Sequence, residues 1–233
     1  MKKLIQSLAF IIIAVTMLSS CAGNYNITGT SLQSIYDGNM VYLRPLDDDK
    51  SVDSCKILHG KFSMSGPVDS IMCVRLFIGN DIDNIPIVLE QGDIKVSTQE
   101  ASIKVEGTPL NDKFYSFMIE RDSLNYLLRE LPRRQATMIL EGYDEDEILR
   151  QLGEEEADIR IKIDKMETEF VTDNFDNVLG VTYFLVLCQN ALNQYGFPTT
   201  TPQIDELYGR APDTFRNNKK VIDFMELCKG NNQ

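Results

Sequence analysis

One histidine, His59, is all the chain of 233 residues carries. A Ser–His–Asp or Cys–His system would have to be built on that side chain, and no serine sits in a G-x-S-x-G element. Leu58-His59-Gly60-Lys61 reads instead as a turn, so no catalytic residue is expected. Cysteine is nearly as limiting. No two of Cys21, Cys55, Cys73, Cys188 and Cys228 are separated by just two residues. That spacing excludes a redox C-x-x-C and a zinc ribbon. Basic clusters are scarce too, with 23 basic side chains against 35 acidic ones. Such a surface repels phosphate backbones and anionic headgroups, which argues against nucleic acid as a partner. No segment has the roughly twenty consecutive apolar residues that a membrane-spanning helix needs. Long low-complexity runs and internal repeats are also lacking. An apolar content of 43% fits a packed globule.

What the chain does have begins with a leader. Lys2 and Lys3 are followed by the short apolar run Leu4 to Leu18, and Leu18-Ser19-Ser20-Cys21 closes it. This quartet resembles the bacterial lipobox, which implies a signal peptide over residues 1–20 and lipidation of Cys21. Stable anchoring takes more than one acyl chain, and the triacyl modification of bacterial lipoproteins supplies it. Loss of the leader lowers the basic count from 23 to 21 against 35 acids, moving the net charge from −12 to −14. Ala22-Gly23-Asn24 then forms a short tether. It lacks the aspartate tied to inner-membrane retention and the acidic run tied to surface export. By that resemblance the expected location is the outer membrane, facing the periplasm. Cys55, Cys73, Cys188 and Cys228 remain, either as small buried apolar side chains or paired within the sheet or within the helices.

Residues 21–110 read as β-rich. Tyr25 to Gly29 could open it. Then come Asn39 to Arg44, Asp53 to Leu58, Lys61 to Ser65, Ile71 to Ile78, Ile85 to Glu90, Asp93 to Ser97 and Ser102 to Glu106. Alternation along them buries one face and wets the other, while Ile71 to Ile78 is apolar enough for a central strand. His59-Gly60 and Gln91-Gly92 suit two-residue hairpin loops, where glycine supplies positive φ. Asp47-Asp48-Asp49 lacks the alternating ligands and terminal glutamate of a calcium loop and reads as a solvated turn. No metal ligand set and no cofactor-binding residue is expected.

From Thr108 the period changes, and residues 111–233 read as helical. Over Asn111 to Leu131, the residues Phe114, Phe117, Met118, Arg121, Leu124, Leu127, Leu128 and Leu131 recur at three- and four-residue steps, with Pro132 ending or kinking that helix. Arg129, Arg133 and Arg134 gather at its end. A second helix from Asp144 to Val171 has the stripe Ile148, Leu152, Ile159, Ile163, Met166 and Phe170, broken at Glu155/Glu156. Its first turn is acidic, as the helix dipole favours, and Glu154, Glu155, Glu156, Asp158, Lys162, Lys165 and Glu169 make a solvated face. Val178 to Leu192 is apolar nearly all round, as in a buried helix. Thr201-Pro202 caps a short helix to Tyr208, and Thr214 to Leu227 forms the last. The fold class is α+β, an antiparallel β-meander or sandwich followed by a helical region.

Several turn and core positions share an order with a known group. Asp37-Gly38 precedes Val41-Tyr42-Leu43, then come Asp53-Ser54, Gly60-Lys61-Phe62, Leu89-Glu90-Gln91-Gly92 and Val105-Glu106-Gly107-Thr108 with Asn111. This resembles the uncharacterised β-rich domain that precedes thioredoxin-like modules of the alkyl hydroperoxide reductase type in bacterial lipoproteins. The helical half, with Phe170 and Asp176-Asn177-Val178-Leu179-Gly180, is similar to their linker region. The resemblance implies a binding or positioning module. In longer relatives a thioredoxin fold with its C-x-x-C follows where Gly230 to Gln233 stand here, and no residue of this chain corresponds to those cysteines. The expected function is a non-catalytic, lipid-anchored envelope protein that binds a partner protein or ligand. The alternatives are an accessory to thiol-disulfide or peroxide metabolism, working with a separate thioredoxin-like protein, and a structural or adhesin-like envelope component.

Overall fold

The computed structural model describes residues 23–31, 36–46, 50–79, 81–99 and 102–230. The leader, Cys21 and Asp47-Asp48-Asp49 lie outside them. The strands are β1 Asn24–Ser31, β2 Met40–Pro45, β3 Asp53–Lys56, β4 Lys61–Pro67, β5 Met72–Ile78, β6 Asp81–Leu89, β7 Gly92–Gln99 and β8 Ser102–Glu106. They build two four-stranded sheets, ordered β4-β1-β7-β8 and β3-β2-β5-β6. Of the two expected arrangements the sandwich forms, and its central β1–β7 pair is parallel.

Every second residue points between the sheets. Ile27, Met64, Ile94, Val96 and Val105 of one sheet meet Val41, Leu43, Val74, Leu76, Ile85, Ile87 and Leu89 of the other. Each such buried aliphatic side chain is worth about 1.5–3 kcal/mol against exposure. The second sheet is also covered on its far side, where Val88 and Cys73 pack against helices. Two covered faces explain why β5 and the end of β6 read as continuous apolar runs.

Two expected hairpins are corrected. β3 and β4 belong to different sheets, with the Leu58–Lys61 bridge at the turn between them, and β6 and β7 are likewise in different sheets. The turns instead carry the chain from one layer to the other. His59 (φ 53°) and Gly60 (φ 70°) still form a tight turn with both central residues left-handed. Glycine has a further role on β1 and β4, where Gly29 faces Phe62 and Gly66 faces Tyr25. A Cβ on Gly29 would lie 1.9 Å from the Phe62 ring, so glycine makes room for that aromatic inside the ladder. The Tyr25 hydroxyl donates to Asp53 Oδ2 (2.8 Å), tying one sheet to the other.

The helices are α1 Pro109–Leu140, α2 Glu145–Thr172, α3 Val178–Tyr195, α4 Pro202–Arg210, α5 Asp213–Arg216 and α6 Lys219–Gly230. α1 does not stop at Pro132. The proline removes the N–H that would bond the Leu128 carbonyl, but Leu128 and Leu131 pack on Ile148 and Leu152 of α2 and hold the helix together. It ends in a turn where Gly142 has φ 82° and the Tyr143 N–H donates to the Met138 carbonyl. The stripe on α2 is buried as expected at Ile148, Leu152, Ile159, Ile163 and Phe170. Its gap is bridged by charge, since Glu155 pairs with Arg134 of α1. α3 is held close to the preceding turn because Gly180 has no side chain there. A Cβ would lie 2.2 Å from the Asn174 carbonyl oxygen. The expected last helix is split, and Asn218 Oδ1 accepts from the Lys220 N–H to start α6. Among the described residues no helix is long and apolar enough to cross a membrane.

Candidate functional site

α1 decides the surface of the molecule, because it leaves the sandwich at a fixed point. Its cap residue Thr108 makes no side-chain cap. The first turn is instead met by a carboxylate from the sheet. Glu90 Oε1 accepts from the N–H groups of Leu110 (2.8 Å) and Asn111 (3.2 Å). A negative group there also complements the helix dipole. Asn111 is fully buried. Its Oδ1 accepts from the Val88 N–H (2.9 Å) while its Nδ2 donates to the Val88 carbonyl and to Thr108 Oγ1 (both 2.8 Å). The side-chain amide thus pairs with β6 as a neighbouring strand would.

Below this junction α1 presents apolar residues on two faces. Phe114, Phe117 and Met118 enter the helical core. Tyr115, Ile119, Asp122 and Tyr126 fall on successive turns of another side, with Leu127 beside them. With Pro86 of β6 and Ile103 of β8 they line an open groove of about 840 Å³. Over the stretch from Tyr115 to Leu127 it runs about 18 Å along the helix. Ile119 is 60% exposed and Tyr126 54%, so this apolar lining faces solvent. Among the described residues Asp122 is the one carboxylate in the lining, and Ser123 lies beside it. The Tyr115 hydroxyl donates to the Pro86 carbonyl (3.0 Å), which fixes one wall. Pockets of 300–1,000 Å³ with apolar walls and few polar groups are the usual form of a ligand site.

A buried polar group lies between the helices. Glu167 Oε1 accepts from Arg121 Nε and from the Tyr183 hydroxyl, both at 2.7 Å. These three residues join α1, α2 and α3, with Phe117 stacked on Phe170 at 3.9 Å above them. Burial, then the charge of Glu167, holds the Tyr183 phenol protonated far above its ordinary range. The cluster fixes helices; the sequence had placed Arg121 simply in an apolar stripe. Glu167 lies four residues after Ile163 and three before Phe170, inside the buried stripe, and that position was the signal for it.

The residues singled out by sequence are not gathered. His59 stays at its exposed turn. Arg133 and Arg134 pair with Glu130 and Glu155, and Asp158, Lys162, Lys165 and Glu169 lie on the exposed side of α2. Among the described residues no cluster of three or more His, Cys, Asp or Glu side chains could hold a metal ion. Cys55, Cys73, Cys188 and Cys228 are free thiols. Burial raises the pKa of each, and for Cys73 a hydrogen bond from the Thr182 hydroxyl opposes that rise only in part. The thiolate is the reactive form. Maleimide labelling at neutral pH is therefore expected to be slow in the folded protein, Cys55 reacting first, and complete in urea. Fast labelling of Cys73, Cys188 or Cys228 without denaturant would contradict this.

The eight strands and the start of α1 coincide with a known unit. Residues 25–114 match the family model described as Domain of unknown function (DUF4369). The matched DUF4369 stretch takes in both sheets and ends three residues past Asn111, so the Glu90–Thr108–Asn111 junction belongs to it. The greater part of the groove-lining helix lies beyond its end. No curated protein matches the chain.

Proposed function

We propose that this protein is a non-catalytic binding module of the bacterial cell envelope, held by lipid on Cys21, with the groove along α1 as its contact surface. The groove carries the reading. It is an apolar, solvent-facing groove of about 840 Å³ built between α1 and the edge strands β6 and β8. Thiols held protonated by burial fit a role in which this chain does no redox chemistry itself. The likeness of the β-rich domain to those preceding thioredoxin-like modules makes a separate thioredoxin-like envelope protein the partner to test first.

Anchoring is tested by Cys21→Ser, which should move the protein from the membrane fraction of cells to the soluble periplasmic fraction. Retention in the membrane would remove the lipid from the proposal. Contact is tested with a photo-reactive residue placed at Ile119 and, as a control, at Leu140 near the end of α1. A defined adduct from Ile119 alone is expected. Adducts from both positions, or from neither, would count against the groove.

A further inference from the structure

Building on the reading of the groove as the contact surface, we infer that its occupant is an apolar peptide segment of a partner protein bearing a lysine or arginine, received by Asp122. The groove offers exposed Ile119, Tyr126, Leu127 and Ile103, and among the described residues Asp122 is the single formal charge in its lining. Among the described residues no salt bridge closes on Asp122, and Lys104, which follows the lining residue Ile103 on β8, is paired with Glu106 (2.6 Å). The neighbouring Arg121 is turned into the helical layer, where it holds Glu167. The net charge of −12 adds a long-range pull of the same sign. A carboxylate set in an apolar wall repels an anionic ligand and leaves a neutral one with an unmatched charge to desolvate. A cation flanked by apolar side chains meets both features, and a segment of about three helical turns matches the length of about 18 Å.

A fluorescent amphipathic peptide of leucine and lysine, and its counterpart of leucine and glutamate, serve as probes for the full chain in anisotropy titrations at physiological salt. The leucine–lysine peptide is expected to bind. Asp122→Lys should weaken it by about tenfold or more and strengthen the leucine–glutamate peptide, as for a charge pair in a part-desolvated groove. Ile119→Glu should weaken the leucine–lysine peptide, although its added negative charge would favour a purely electrostatic complex. Asp146→Lys and Leu140→Glu make the same charge changes away from the groove and should leave binding within about twofold, since remote exposed charges are screened. If Ile119→Glu abolishes binding while Asp122→Lys changes neither peptide, the groove stands as the surface and the cationic occupant is wrong. If neither groove variant has an effect, if the control variants weaken binding equally, or if neither peptide binds, the inference is overturned. In the first two of those cases the binding seen lies elsewhere, and the reading of the groove as the contact surface falls with it.

Discussion

Replacing Asn111 with leucine should destabilise the fold by about 3–5 kcal/mol, although leucine is close in size and apolar. The side-chain amide of Asn111 is the partner of both the N–H and the carbonyl of Val88, at 2.9 and 2.8 Å, in a fully buried place. Leucine can do neither job. Each buried backbone group left without a partner loses about 1–3 kcal/mol, and the Thr108 hydroxyl loses its donor as well. For a chain of this length each kcal/mol lowers the melting temperature by about 2–4 °C, so a fall of roughly 6–20 °C is expected in calorimetry. Asn111→Asp separates the parts, because it keeps an acceptor for the Val88 N–H and loses the amide donor. It also sets a second carboxylate beside Glu90, and it should be no milder than leucine. A loss under about 1 kcal/mol for leucine would mean that α1 is held to the sheet by its apolar contacts alone.

The parts of this fold that could be read from the sequence are those set by local rules. Strand positions followed from alternation and from Gly and Pro punctuation, and the cap at Thr201-Pro202 is where it was expected, with Thr201 Oγ1 accepting from the Ile204 N–H. What escaped depends on which strands meet. Nothing in Leu58-His59-Gly60-Lys61 says that β3 and β4 enter different sheets, because a tight turn uses the same dihedral angles whether the flanking strands pair throughout or part at a corner. The parallel β1–β7 pair, closed only after the chain has crossed to the other sheet, has no local mark at all. Pro132 does not end α1 for a related reason, since packing on α2 carries the helix past a local breaker. The groove was half legible. Leu124 and Leu127 stood in the expected apolar stripe, but a single stripe left out Tyr115, Ile119 and Tyr126, and their exposure depends on where the sandwich edge lies. Glu90 and Asn111 stood among the positions of the resemblance, yet their pairing joins residues 21 apart in sequence.

The three-residue cluster at Glu167 should respond unequally to loss of its two charges. The Glu167 side chain is 6% exposed and that of Arg121 24%. Arg121→Leu leaves the carboxylate in the interior with only the Tyr183 hydroxyl beside it, and removing one partner of a buried pair is worth about 3–5 kcal/mol. Glu167→Leu leaves a guanidinium whose long stem can carry it to water, and the loss should be smaller, about 2–3 kcal/mol. Tyr183→Phe removes one hydrogen bond to a charged group, about 1.5–3 kcal/mol. The Arg121→Leu/Glu167→Leu double variant should recover much of the loss, because two apolar side chains carry no unmatched charge into a layer where Phe117 and Phe170 already stack. Urea unfolding of the four variants reads these differences as shifts in midpoint at constant slope. Equal losses for the two single leucine variants would mean that Arg121 is as poorly hydrated as Glu167. Strict additivity in the double variant would mean that the 2.7 Å contact contributes little beyond packing. A double variant that is stable but no longer binds through the groove would assign the ion pair to the placement of α1 against α2 and α3, because its charges would then matter for geometry and not for the folding free energy.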